Sequence, residues 1–116
     1  MSLATDCIFC RIAAGDVPSR KVHDDDQVMA FHDIAPWAPV HLLIIPKTHI
    51  PSLVETDPQQ HAALLGRMLA LAPQLARAQG VTNGFRVVIN TGADGGQEVP
   101  HLHLHVIGGP RPWLRG

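Results

Sequence analysis

Hydrophobic positions along this chain change their period several times, and each change marks the boundary of an element. Cys7-Ile-Phe-Cys10-Arg-Ile-Ala-Ala14 predicts a short helix stopped by Gly15. Pro18 forces an extended exit, Lys21 to His23 predicts a short strand, and Asp24-Asp25-Asp26 a solvated turn. Gln27 to Asp33 alternates, with Val28, Ala30 and His32 on one face and Met29, Phe31 and Asp33 on the other, as a strand requires. Ile34-Ala-Pro-Trp-Ala-Pro39 carries two prolines too close together for a central strand and predicts a loop. The unbroken apolar run His41-Leu-Leu-Ile-Ile45, bounded by Pro39 and Pro46, predicts a strand buried on both faces.

After a loop from Pro46 to Pro51 the period changes to that of a helix. Asp57 is placed as N-cap, Pro58 at the first helical position and Gln60 to complete a capping box. His61, Leu64, Leu65, Met68, Leu69, Leu71, Ala72 and Leu75 then recur on one stripe as far as the Gly80 stop, with Pro73 expected to kink the helix or free a carbonyl. Asn83-Gly84 is a turn, Phe85 to Asn90 a strand, and Thr91-Gly-Ala-Asp-Gly-Gly96 a glycine-rich loop. His101-Leu-His-Leu-His-Val106 alternates strictly: on a strand its three imidazoles share one face about 7 Å apart, and Leu102, Leu104 and Val106 face the core. Gly108-Gly109 ends that strand, and Pro110 to Gly116 is an irregular tail. About five strands with one short and one long helix make an antiparallel α+β domain spanning 1–116, with its core at about 7–109 and a tail at 110–116.

Charge narrows the partners more than the fold. A formal net charge of −1 over 116 residues argues against a nucleic-acid groove or an anionic membrane as main partner. No apolar run approaches the ~20 residues of a spanning helix, and Met1 to Asp6 lacks the pattern of a signal peptide, so the expectation is a cytoplasmic protein. The two cysteines form one Cys7-x-x-Cys10 pair, which in a reducing compartment points to metal or redox work over a disulfide.

Three of eight histidines on one face suggest a chemical site, because imidazole titrates near neutral pH and can act as nucleophile, acid, base or ligand. A solvated face that happens to use histidine is the alternative. The glycine-rich loop immediately before them lets backbone amides converge on an anion, which puts phosphate beside a nucleophile or base. The cysteine pair could supply two of the four ligands of a structural zinc, with His49 and one end of the His strand as candidates for the others. Two buried thiols without metal remain the alternative.

Together these blocks resemble the histidine-triad (HIT) family, specifically its Hint branch of nucleoside phosphoramidases. His101-Leu-His103-Leu-His105-Val106 matches the family's H-x-H-x-H-x pattern, and Phe31-His32-Asp33-Ile34, Pro39-Val-His41, Ile45-Pro-Lys47, Asn90 and Gly95-Gly96-Gln97 match its other blocks in order. The resemblance implies a HIT-like fold, a homodimer joining two sheets, and cleavage of nucleoside 5'-phosphoramidates to the nucleoside monophosphate and an amine. His103 would be the nucleophile, forming a nucleotidyl-histidine intermediate; His105 would bond the phosphate oxygens and His41 would sit at the phosphate end. Asn90 and the backbone from Gly96 through Gln97 and Glu98 to Val99 would contact the scissile region, and Asp33 the ribose. Phe9, Ile12, Phe31, Ile34 and Leu43 would wall the base, with His32 among the nucleotide-contacting residues. Bacterial members with Cys-x-x-Cys carry zinc, whose ligands would be Cys7, Cys10, His49 and His101, with no metal needed for chemistry and no organic cofactor.

Two departures stand out: Glu98 replaces a serine that handles the leaving group in animal members, and Pro100 replaces an aromatic. Trp113 would approach the partner subunit's site and set leaving-group preference. The substrates implied are AMP or GMP derivatives. Dinucleoside-polyphosphate hydrolysis by the same machinery, a metal-dependent hydrolase using His101 and His103, and a nucleotide-binding adaptor with vestigial catalysis are the rival readings.

Overall fold

β3 (Val40–Pro46) is the middle strand of a five-stranded antiparallel sheet, as its unbroken apolar run implies. The computed structural model describes residues 6–115. In chain order the elements are α1 (Ile8–Ala13), β1 (Lys21–Asp24), β2 (Val28–His32), β3, a 3-10 turn (Leu53–Glu55), α2 (Pro58–Ala78), β4 (Phe85–Val88) and β5 (Leu104–Gly108). The strands lie in the order β1-β2-β3-β5-β4, so the last strand inserts beside the middle one and leaves β4 at an edge.

Both faces of the sheet are covered. Val28, Ala30, Leu42, Ile44, Leu104 and Val106 pack against Met68, Leu71, Ala72 and Leu75 of α2. Met29, Phe31, Leu43 and Ile45 pack against Phe9 and Ile12 of α1. The pairs Leu43↔His105 and His41↔Ile107 then put His41 and His105 diagonally adjacent on the α1 face. Among the described residues no helix is long and apolar enough to cross a membrane.

Several local expectations change. β5 begins at Leu104, not at His101. Pro46 offers no amide to extend the ladder with β3, and the Leu102 N–H instead donates to the Ile50 carbonyl at 2.7 Å. Side-chain alternation nevertheless continues through His101 and His103, with Leu102 buried in the α2-facing core. β4 likewise stops at Val88, short of Asn90. Asp57 caps α2 through Gln59 N–H and Gln60 N–H, but the reciprocal bond comes from elsewhere: its own N–H donates to His61 Nδ1 at 2.8 Å, which gives that histidine a capping role. Leu69 is 48% exposed, and α2 runs on through Pro73 on its outer face.

Met68 has no exposed surface, so Met68→Ala should cost about 2–5 kcal/mol in urea unfolding. Leu69→Ala should stay within about 1 kcal/mol. Equal costs for the two would contradict the packing of α2.

Candidate functional site

Two groups of side chains meet where α1, the loop after β3 and the start of β5 converge. The first is built on Cys7, which is the N-cap of α1 and accepts the Cys10 N–H at its Sγ, 3.4 Å away. His101 Nδ1 lies 3.2 Å from Cys7 Sγ and 3.5 Å from Cys10 Sγ, and His49 Nδ1 lies 3.2 Å from both Cys10 Sγ and His101 Nδ1. A tetrahedral ion with bonds of ~2.0–2.1 Å to nitrogen and ~2.3 Å to sulfur has edges of roughly 3.3–3.8 Å, so the four donors are already spaced for one.

The tautomer agrees. His101 Nε2–H donates to the Pro46 carbonyl at 2.8 Å, which leaves the Nδ1 lone pair facing the thiols. Burial lowers the His101 pKa to about 4, so this imidazole is neutral and available as a ligand. Burial, reinforced by Cys7, pushes the Cys10 thiol up to about 11, and a bound cation would reverse that. All four residues named for a metal from the sequence are brought together, with donor atoms within 4.8 Å of one another. His101 and His103 share no such donor group among the described residues.

The second group is a chain of imidazoles whose protons are placed by the backbone. His103 Nδ1–H donates to the His101 carbonyl at 2.6 Å, leaving its Nε2 with a free lone pair. The Trp37 N–H donates to His41 Nδ1 at 3.1 Å, so the proton of neutral His41 is on Nε2. That proton faces His105 Nδ1 at 2.9 Å, which puts the proton of His105 on its own Nε2. His105 Nε2 is buried and has no partner. Burial lowers the pKa of all three imidazoles, that of His105 to about 4, which keeps them neutral and makes this assignment hold. A buried donor without an acceptor costs about 1–3 kcal/mol, and an anionic ligand oxygen would remove that cost. Asp33 Oδ2, 3.6 Å from His41 Nε2, joins His41 and His105 within 4.8 Å. This cluster suits a cation poorly, because Trp37 N–H occupies His41 Nδ1 and keeps Nε2 a donor.

A cavity opens beside these rings. Phe9, Asp33, Leu43, Asn90, Gly96, Glu98 and Val99, residues that the family resemblance named, line it with His103 and His105. Phe9 presents its ring at 83° to that of His103, 5.1 Å between centroids. Other expected residues lie elsewhere. Ile12 and Phe31 are buried behind the wall, in the α1-facing cluster. His32 follows Val28 and Ala30 onto the α2-facing side of β2, and Ile34 is wholly exposed. His41 sits behind His105. Gln97 works on the loop: its Nε2–H groups donate to the Pro51 and Val99 carbonyls at 2.7 and 2.9 Å, and its Oε1 accepts the Gly92 N–H at 3.0 Å. A Cβ on Gly95 would meet Thr91 O at 2.2 Å, so that turn admits no side chain.

Trp113 lies outside the cavity. Its Nε1–H donates to the Gly109 carbonyl at 3.0 Å and its ring takes the guanidinium of Arg111 at 3.9 Å and of Arg86 at 5.3 Å, in a groove along β4. Two lining residues were missed, Trp37 and Arg115. A tryptophan bracketed by prolines four residues before a buried histidine was the available signal for the first. Arg115 gave none beyond its charge.

Comparison with known proteins places the chain in a family. The HIT domain model matches residues 14–111. The chain is 51% identical over 104 residues to Protein HitA of Neisseria gonorrhoeae, covering 90% of this chain and 96% of that protein. It is 43% identical over 108 residues to the purine nucleoside phosphoramidase of Escherichia coli K12, covering 92% and 90%. The crystal structure of a HIT family hydrolase from Legionella pneumophila superposes with a TM-score of 0.86 at 45% identity, covering 90% of this chain and 94% of that one. With the family model spanning most of the chain and close relatives matched over nearly their whole length, this protein belongs to the HIT family.

Proposed function

We propose that this protein hydrolyses nucleoside 5'-phosphoramidates, with purine nucleotides as the substrate class, through a nucleotidyl-histidine intermediate. The observation that carries the reading is the opposed proton placement on two adjacent rings. His103 offers a lone pair at Nε2 and His105 offers a proton at Nε2, with centroids 5.0 Å apart on one cavity wall. A phosphorus atom held between them meets a nucleophile and a hydrogen-bond donor at once. The name of the Escherichia coli relative supports the P–N specificity.

In the first step His103 Nε2 attacks phosphorus, the P–N bond breaks, and the amine leaves with a proton from water at the exposed, Glu98-lined mouth. The positive charge that develops on the imidazole is met by the His101 carbonyl at Nδ1–H. In the second step water attacks phosphorus and loses its proton to the solvent hydroxide left by the first step, the P–Nε2 bond breaks with its electron pair returning to His103, and the nucleoside monophosphate is released. His105 Nε2–H and the backbone of Gly96 bond the phosphate oxygens, Asp33 accepts from the ribose, and Phe9 and Leu43 flank the base.

Zinc is the ion we assign to Cys7, Cys10, His49 and His101, on spacing and donor set. Held by four protein ligands it has no open position, and its part is to hold α1 against the start of β5. We also infer a cytoplasmic homodimer. Edge strand β4 leaves Phe85 38% exposed, a surface on which two sheets can join.

His103→Ala should abolish turnover of adenosine 5'-phosphoramidate while AMP binding persists, and mass spectrometry of quenched wild-type protein should find the adenylyl adduct on His103. Undiminished turnover in that variant would remove the nucleophile assignment. Metal analysis should find one zinc per chain, lost in Cys10→Ser together with a lower thermal midpoint; full zinc content in Cys10→Ser would contradict the ligand set. Sedimentation should give the mass of two chains, and a single-chain mass at micromolar concentration would exclude the dimer.

A further inference from the structure

Around the cavity the balance of charge is unfavourable for what the proposed reaction requires. Asp33 and Glu98 both line it, and the His105 ring beside them is held neutral by burial. A nucleotide brings at least one further negative charge to this place. Among the described lining residues Arg115 is the only cation.

Arg115 belongs to the tail after β5, and the tail is fastened at this point. Its backbone N–H donates to the Trp37 carbonyl at 3.1 Å, and its guanidinium carbon lies 4.4 Å from the centroid of the Trp37 ring. The same indole stacks on His105 at 4.6 Å and 19° and lies 4.7 Å from His41. Trp37 therefore touches the imidazole chain with its ring and its amide, and the tail with its ring and its carbonyl. Arginine suits this position, because a guanidinium can stack on an aromatic face and still present its edge donors to an oxyanion. Its charge also reaches His41 and His105, where it adds to burial in holding both rings neutral.

We propose that Arg115, positioned by stacking on Trp37, is the phosphate-binding cation of this site, so that the C-terminal tail completes the cavity for anionic nucleotides. The assignment rests on the nucleotide reading above and adds to it a residue far from the triad in sequence. Trp37 acts through Arg115 and His105 as a positioning residue. Arg111 is the natural control, because it lies in the same tail but stacks on Trp113 outside the cavity.

The test is binding of AMP and adenosine to the full chain, followed calorimetrically, in wild type, Arg115→Ala, Trp37→Leu and Arg111→Gln. Because the two ligands differ only in the phosphate, loss of a phosphate partner should weaken AMP about tenfold or more and leave adenosine unchanged. Arg115→Ala and Trp37→Leu should both show this, the double variant should be no worse than either alone, and Arg111→Gln should bind like wild type. Guanidinium chloride at tens of millimolar should restore part of the phosphoramidate turnover of Arg115→Ala and none to Trp37→Leu, which keeps its own arginine. Unchanged AMP affinity in Arg115→Ala, or equal weakening of AMP and adenosine, would overturn the proposal and leave the triad chemistry standing. Wild-type protein that binds neither ligand would overturn the nucleotide reading, and this proposal with it.

Discussion

A neutral imidazole has one proton and two nitrogens, and in this site the main chain decides which nitrogen holds it. The His101 carbonyl takes the proton side of His103, and the Trp37 amide takes the lone-pair side of His41. From those two bonds the rest is forced: a free lone pair at His103 Nε2, and through the His41–His105 contact an unpartnered proton at His105 Nε2. Burial is the necessary condition, since it pushes the pKa of each ring down and removes the doubly protonated form in which both nitrogens would donate. A site exposed to water would lose this polarity. The requirement for neutral, buried histidines therefore explains why the sheet is covered on the side that carries them.

That covering divides the labour between the two helices. α2 meets the face of Val28, Leu42, Ile44, Leu104 and Val106 with a long apolar stripe, and this is the larger core. α1 has only six residues, and a helix so short is marginal without outside support. Phe9 and Ile12 supply some of that support by packing on Met29, Phe31, Leu43 and Ile45. Cys7 and Cys10 supply the rest at the point where they meet His49 and His101. The small helix closes the face that carries the buried histidines, and the cysteine–histidine cluster holds it there.

The sheet and its two faces were legible from the sequence because period-two alternation and an unbroken run between prolines have few other solutions. The cysteine–histidine cluster was legible in part: the Cys7-x-x-Cys10 pair is a ligand signature with His49 and one end of the His strand as candidates, and the family resemblance supplied His101. What escaped depended on contacts between residues remote in sequence. The spacing of His101, His103 and His105 shows a shared face but not that the ladder starts at Leu104, because that start depends on Ile50 capturing the Leu102 amide. Gln97 matched a motif through which only its backbone was placed near phosphate, and the motif did not show that its side-chain amide ties Gly92 of the glycine loop to the Pro51 and Val99 carbonyls. His61 has no chemical signature at all and takes its role from one amide, that of Asp57. Trp37 and Arg115 are 78 positions apart and read as loop and tail; only the fold brings them together over His105.

His101 shows why the triad's three members cannot exchange roles. Its Nδ1 faces the two sulfurs, its Nε2–H is spent on the Pro46 carbonyl, and its own carbonyl accepts the proton of His103. Any displacement of its ring by the cysteine pair is carried through its backbone to the imidazole that we assign as nucleophile. The cysteine–histidine cluster and the nitrogen we assign as nucleophile are thus joined through one residue, His101, and one hydrogen bond, that of His103 Nδ1–H to the His101 carbonyl. A tightly held cluster fixes where the His101 carbonyl points, and that carbonyl fixes the aim of His103 Nε2. On the reading proposed above, an ion held there would take no part in the displacement and would act only through how firmly the four ligands hold His101.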